Sequence, residues 1–269
     1  MEKLGIIGGL GPAATARLMT RVVEFTDAQR DQDHLDVTVL CRPQIPDRTA
    51  YLLGVPGARS FVEPMRQAAC ELEAAGCTVL ATPCNTSHAR LEDIAAPLTR
   101  ARFVPMPDAS ARLLARGGAR RVGVLATDGT MQTGVYARAL AAEGLELAPL
   151  SPDEQRAVME VIYDRVKRGD VPGPESLTPL VEALAERCCD GVVLGCTELS
   201  VLGMPPCVAG VPVVDALDVL AASCVVACGA SLRRSEVARS FSPELARLCE
   251  RGAKREQRIV LCAALPAFT

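Results

Sequence analysis

The chain has no tryptophan, only two histidines, no marked excess of either charge and no long apolar run. Each shortage excludes something. A formal net charge of −3, from 29 Lys/Arg and 32 Asp/Glu, argues against a nucleic-acid partner, which calls for a basic face. The most apolar run, residues 219–230, spans 12 residues, well short of the ~20 that cross a bilayer, so no membrane partner is expected. The opening residues MEKLGIIGG enter an apolar run at once and lack the shape of a secretory leader. A cytoplasmic protein with reduced thiols is therefore expected. With two histidines and no familiar ligand spacing, no metal site is expected. An apolar share of 49% excludes disorder, and 269 residues suit one large domain or two small ones.

Cysteine, by contrast, is plentiful. Twelve in 269 is under 5%, below the ~8–10% typical of disulfide scaffolds. Cys41, Cys70, Cys77, Cys224, Cys228, Cys249 and Cys262 sit among apolar residues and read as small core side chains. Cys188-Cys189, taken with Cys196 and Cys207, fits no familiar zinc spacing.

Short apolar runs alternate with longer helical patterns. Residues 3–8, 36–40, 78–82, 103–104, 121–127, 191–194 and 211–214 read as buried strands. Between them, 13–29, 57–75, 109–115, 134–143, 152–168 and 174–188 read as helices, and Ser151-Pro152-Asp153-Glu154 is a helix-start signal. The alternation predicts α/β structure, with parallel sheets covered by helices.

The chain also repeats itself. Leu4–Gly11 aligns with Val122–Gly129, an offset of 118. Thr78–Thr86, containing Cys84, resembles Gly191–Thr197, containing Cys196, an offset of 112. Val104-Pro-Met-Pro-Asp108 resembles Val211-Pro-Val-Val-Asp215, an offset of 107. Three landmarks in one order predict two pseudo-symmetric three-layer α/β/α subdomains with a cleft at the carboxyl ends of their strands. The expected division is 1–108 plus about 213–230 for the first, 109–212 for the second, and a C-terminal tail of unknown role, 231–269. The tail carries eight Lys/Arg and four Asp/Glu, a net of +4, and reads as an added surface helix.

Cys84 and Cys196 thus fall at equivalent strand ends, facing one another across the cleft. Cys84 opens Cys-Asn-Thr-Ser-His just before a helical pattern, where N–H groups stabilise a thiolate. Asn85, Thr86 and Thr197 add donors for a carboxylate or an enediolate. Two thiols on opposite faces of one carbon can invert it: the thiolate removes a proton and the thiol returns one. His88, a turn into its helix, reads as structural, whereas Glu198 beside Cys196 could tune that thiol or bind an ammonium. Gly9-Leu10-Gly11-Pro-Ala-Ala14 fits a loose dinucleotide fingerprint, but the next strand ends at Cys41-Arg42 without a ribose-binding acid. A tight turn is the better reading, its free amides approaching the substrate at Leu10 or capping a helix.

These motifs resemble the PLP-independent aspartate/glutamate racemases. The matching stretches are Ile7-Gly-Gly-Leu-Gly-Pro12-Ala-Ala-Thr15, Pro43-Gln-Ile-Pro-Asp-Arg48-Thr, Pro83-Cys84-Asn85-Thr86-Ser-His88 and Leu194-Gly195-Cys196-Thr197-Glu198-Leu199. The resemblance spans roughly residues 3 to 228. It implies a cofactor-independent racemase acting on aspartate or glutamate, an active site between two α/β subdomains, and a homodimer. By that resemblance, Cys84 and Cys196 are the acid/base pair. Asn85, Thr86 and Thr197 bind the α-carboxylate, with Thr127 nearby, and Arg48 and Lys167 hold a side-chain carboxylate. Lys167 is placed by helical register alone. Glutamate racemases resemble Asp-Ser-Gly after the first strand and Gly-Cys-Thr-His at the second cysteine. This chain has Gly8-Gly9-Leu10-Gly11 and Glu198 there, which points to the aspartate branch. Some relatives carry Thr at the first cysteine and favour one direction; Cys84 implies turnover both ways.

Three rivals stand beside this reading. One is a hydantoin or broad-specificity racemase on the same scaffold, which would not need Arg48 and Lys167. Another is a non-catalytic amino-acid binder. The third is a redox dithiol, disfavoured because neither Cys84 nor Cys196 lies in a Cys-x-x-Cys motif.

Overall fold

The computed structural model describes residues 1–250 of the chain. Strands β1 (Leu4–Gly8), β2 (Val37–Cys41), β3 (Val79–Ala81) and β4 (Arg102–Phe103) form a parallel sheet ordered β2-β1-β3-β4. Strands β5 (Arg121–Leu125), β6 (Glu146–Ala148), β7 (Gly191–Leu194), β8 (Cys207–Val208) and β9 (Val211–Asp215) form a second, ordered β6-β5-β7-β9-β8. All its pairs are parallel except β8–β9. Without β8, the two sheets have the same order, as the internal repeat requires. Short Val/Ile/Leu runs such as β1 and β7 are fully buried because helices cover both faces.

Helices α1 (Pro12–Phe25), α2 (Arg48–Leu52), α3 (Val62–Ala74), α4 (Leu91–Ala95) and α5 (Met106–Arg116) accompany the first sheet. Helices α6 (Asp128–Gln132), α7 (Val135–Ala142), α8 (Pro152–Met159), α9 (Thr178–Glu186) and α10 (Ala216–Ala227) accompany the second. Last come α11 (Arg234–Ser240) and α12 (Pro243–Glu250). The fold is α/β with helices layered on parallel sheets.

The most apolar run of the sequence begins inside α10, whose twelve residues are all buried. A helix apolar on every side has no solvent face to offer. It lies against α1, α5 and β3, while α5 lies against α7. Each half's last helix therefore crosses to the other half's first helices, and α5 and α10 meet at the centre. Residue 108 falls inside α5, and β9 pairs with β7 in the second sheet before α10 returns to the first. The central core runs through these helices, with Leu18, Phe25, Leu113, Leu140 and Leu220 fully buried.

Four expectations need correction. Strand β2 is only half-buried because it is the edge of its sheet, and Cys41 at its end is exposed, not core. Cys70, also read as core, is only half-buried. The helix read over 152–168 is α8 followed by a π-helical turn, Glu160–Arg165, and a 3-10 turn, Val166–Arg168. The tail is no surface addition over its described part: Val237, Phe241 and Leu245 are buried, and Phe241 stacks on Phe25 at 6.1 Å. Residues 251–269 and the side chain of Cys249 lie outside the described residues, and with them Cys262.

Ion pairing fixes this tail to α1. Arg21 donates to both oxygens of Asp218 on α10, at 2.7 and 3.1 Å, and to Ser240 and Glu24; Glu236 lies 3.6 Å away. Burial alone would depress the Arg21 pKa, but the Asp218 and Glu24 carboxylates together raise it. Removing one partner of such a pair costs about 3–5 kcal/mol because the other charge stays buried.

Candidate active site

The strands of both sheets end at one cleft of about 320 Å³, its open mouth included. Its walls are Leu10, Asp47, Arg48, Thr49, Cys84, Asn85, Thr86, Thr127, Tyr163, Lys167, Cys196, Thr197 and Glu198. All ten residues expected from the sequence are among them.

Backbone geometry brings Leu10 there. Gly9 has φ +92°, and a Cβ at that position would lie 2.5 Å from the Arg42 backbone. Only glycine allows the β1 turn to cross the chain leaving β2. Its N–H donates to Thr15 Oγ1 at 2.9 Å. These glycines therefore make a tight turn, and the Leu10 carbonyl accepts from Arg48 Nη2 at 3.1 Å. Arg48 opens α2, which Asp47 caps by accepting from the Ala50 N–H at 2.6 Å. Its Nη1 donates to the carbonyls of Ile45 and Pro46, while Nε is buried without a partner.

The two thiols are buried, Cys84 at 6% exposure and Cys196 at 7%, but their electrostatic surroundings are opposite. Burial would depress the Arg48 pKa, yet the charge of Cys84 and a hydrogen bond to it, with Asp47 and Glu198, raise it. A guanidinium is thus held against Cys84. Cys196 instead donates through Sγ to Glu198 Oε2 at 3.0 Å. Burial, then the Glu198 charge, push its thiol well above the ordinary range. The other carboxylate oxygen accepts from Lys167 Nζ at 2.7 Å. Burial would raise the Glu198 pKa, but Lys167 and the Cys196 hydrogen bond together hold it below the usual carboxylate range, and the carboxylate in turn raises the Lys167 pKa against burial. The carboxylate and burial therefore favour a proton on Cys196.

Polar groups bridge the halves around the thiols. Thr86 Oγ1 lies 3.2 Å from Thr127 Oγ1 and 2.9 Å from Thr130 Oγ1, and those two are 3.1 Å apart. Thr197 Oγ1 donates to the Pro83 carbonyl at 3.1 Å. Tyr136 donates to Asn85 Oδ1 at 2.7 Å, which leaves Asn85 Nδ2 buried and without a partner. Asn85 also opens a 3-10 helix, Asn85–Arg90, whose first N–H groups have no intrahelical acceptor. An unpartnered amide nitrogen at the start of a helix suits an anionic oxygen. Among the described residues, no group of three or more His, Cys, Asp or Glu could hold a metal ion.

Three wall residues and the third member of the hydroxyl triangle were not singled out from the sequence. Tyr163 lies four residues before Lys167, with Lys167 Nζ 5.2 Å from its ring centre, a helical spacing that marks both for one face. Asp47 and Thr49 flank Arg48 and are signalled only by the capping position. Thr130 is three residues after Thr127, the spacing of a helix cap, and its N–H donates to Thr127 Oγ1 at 3.3 Å.

The sequence matches the Asp/Glu/Hydantoin racemase family over residues 7–224. In structure, it is similar to the aspartate racemase of Picrophilus torridus, with 29% identity, a TM-score of 0.74, and coverage of 87% of this chain and 97% of that one. An aspartate racemase homologue from Pyrococcus horikoshii OT3 aligns with 25% identity and a TM-score of 0.71, over 85% and 99% of the two chains. The broad-specificity amino-acid racemase RacX of Bacillus subtilis is 24% identical over 230 residues, 82% of this chain and 96% of that protein. No helix among the described residues is long and apolar enough to cross a membrane. The chain belongs to the Asp/Glu/Hydantoin racemase family and is an isomerase of the racemase kind.

Proposed function

We propose that the protein racemises an acidic amino acid, aspartate or glutamate, by two-base catalysis with Cys84 and Cys196 and without a cofactor. The observation that carries this is two buried thiols on equivalent strand-end loops of one cleft, one beside a cation and the other beside an anion. The substrate α-carbon lies between the sulfurs. Cys84 as thiolate removes the α-proton, and Cys196 as thiol delivers one to the opposite face, with the roles exchanged for the other enantiomer. Asn85 Nδ2, the Thr86 and Thr197 groups and the opening N–H groups of the Asn85 helix hold the α-carboxylate and stabilise the enediolate-like intermediate. Arg48 and Lys167 take the side-chain carboxylate, Lys167 by exchanging Glu198 for it. A homodimer in the cytosol fits the reading, and size-exclusion chromatography with light scattering tests the dimer.

Proton NMR in D₂O against a panel of L-amino acids tests the activity. Loss of the α-proton signal for aspartate or glutamate is the expected result, and ligand binding without exchange would instead mark a binder. Cys84→Ser and Cys196→Ser should each abolish racemisation followed by circular dichroism. Undiminished decay of rotation in either variant overturns the two-base mechanism.

One observation favours a second substrate class on the same scaffold. Arg48 is largely engaged by backbone carbonyls and Lys167 by Glu198, so both cations have partners before any substrate arrives. A neutral or broad-specificity substrate needs neither as a side-chain anchor, and Arg48→Ala would then raise KM for aspartate no more than for a neutral amino acid.

A further inference from the structure

The offset that carries Cys84 onto Cys196 also carries His88 onto Ser200, and the offset of the next landmark carries Asp108 onto Asp215. Around Cys84, the carbonyl accepts from Ser87 Oγ at 2.7 Å and from His88 Nδ1 at 2.9 Å. The opposite ring nitrogen, Nε2, accepts the Met106 N–H at 3.1 Å. A backbone N–H can only donate, so Nε2 carries the lone pair and Nδ1 the proton. His88 is buried, and burial lowers its pKa, so the ring is neutral in this arrangement. Met106 is the first residue of α5, so the imidazole ties the Cys84 loop to the start of that helix.

The second half repeats the connection with other chemistry. Ser200 Oγ donates to Asp215 Oδ1 at 2.7 Å, and the same oxygen caps α10 by accepting the Leu217 N–H at 2.9 Å. Ser200 lies in the 3-10 turn Leu199–Leu202, tied back to the Cys196 loop by Leu199 N–H to the Cys196 carbonyl at 2.9 Å and Ser200 N–H to the Thr197 carbonyl at 3.3 Å. In each half, the residue four places after the cysteine is anchored at the start of the helix that follows that half's last strand. Those helices, α5 and α10, pack on one another.

We propose, resting on the two-base reading, that His88 and the Ser200–Asp215 pair are positioning residues, each setting the place of one thiol. His88 serves Cys84, and Ser200–Asp215 serves Cys196. The central helix pair is the common frame from which both distances are set. Loosening one tether slows the two proton transfers of its own cysteine and spares those of the other.

Rates alone do not separate this from general damage. Racemisation has an equilibrium constant of one, so kcat/KM falls equally for both enantiomers in any variant. Isotope effects do separate them. For the enantiomer deprotonated by the loosened cysteine, abstraction becomes rate-limiting and the α-deuterium effect rises. For the other enantiomer, reprotonation by that cysteine becomes rate-limiting, so the α-deuterium effect falls and the solvent effect rises.

The test measures kcat/KM with α-protiated and α-deuterated D- and L-aspartate, or the amino acid that exchanges in the NMR panel, for wild type, His88→Ala, His88→Asn, Ser200→Ala and Ser200→Thr. The expected result is a loss of about 10- to 100-fold in the alanine variants, the scale of a small misplacement. Their isotope effects should shift in mirror-image fashion between the enantiomers, and Ser200→Thr, which keeps the hydroxyl, should recover most of the activity. Should His88→Ala not fold, His88→Asn, which loses the Met106 link, and Ser200→Ala decide the matter. Isotope effects that are unchanged, or that move together for both enantiomers, overturn the positioning roles. A wild type that exchanges no amino acid overturns the racemase reading itself.

Discussion

At the scale of single residues, the site is organised by the charge beside each sulfur. Glu198 and burial hold the Cys196 proton in place, and Lys167 opposes them. Removing the carboxylate in Glu198→Gln takes away a negative neighbour, so the Cys196 pKa falls. The alkaline limb of the kcat/KM profile, which reports loss of the thiol form, should move to lower pH. Lys167→Met removes the opposing cation and should move that limb to higher pH. A profile that ignores both changes would show that Cys196 is not the group being titrated. Much of this was legible in the sequence, because the motifs around Cys84 and Cys196 name six of the thirteen residues that line the cleft, both thiols and Glu198 among them. The pairing of Glu198 with Lys167 was not, since 31 residues separate them and only the turn before Lys167 brings them together.

At the scale of elements, residues 231–250 belong to the core. Phe241 is 1% exposed and stacks on Phe25, itself beneath the Arg21 guanidinium at 4.4 Å. Phe241→Ala should lower stability by about 3–5 kcal/mol, read as a drop in urea midpoint with the slope unchanged. An unchanged midpoint would show that α11 and α12 dock only loosely. The parallel strands with Val, Ile and Leu on both faces were legible from composition alone. Strand β6 was not, because Glu146-Leu-Ala is a three-residue sheet edge with its first residue exposed. Strand β8 has two residues, too few for any period. Helix α10 has no polar face and hence no helical period, so it reads only as an apolar run. The π-turn at Glu160–Arg165 leaves no mark in the sequence, yet Tyr163 lies within it and Lys167 just beyond.

At the scale of the whole molecule, the halves meet closely at the cleft and through a charged interior behind it. A Cβ on Gly129 of α6 would lie 2.9 Å from Thr49 Oγ1 and 3.0 Å from Thr49 Cα on α2. Gly129→Ala should wedge these elements apart and cost about 10-fold or more in kcat/KM, with a melting temperature close to wild type. Equal activity would show that closure at α2 and α6 is not needed. Behind the Cys196 loop, burial and then Asp218 raise the Asp215 pKa from 3.8 to about 7. Between those values, the folded protein keeps a proton that the unfolded chain has released, so this group's contribution to stability falls as pH rises. Melting of wild type and Asp215→Asn across that range should show the gap growing in favour of Asn. The hydroxyl triangle of Thr86, Thr127 and Thr130 joins the halves where the proposed α-carboxylate arrives. Hydroxyls can turn their protons, so a carboxylate can replace each bond it breaks, whereas an uncharged amide or ester offers weaker acceptors in exchange. On the proposed reading, the triangle is a latch that its own ligand releases, and discrimination among amino-acid derivatives begins before either thiol meets an α-proton.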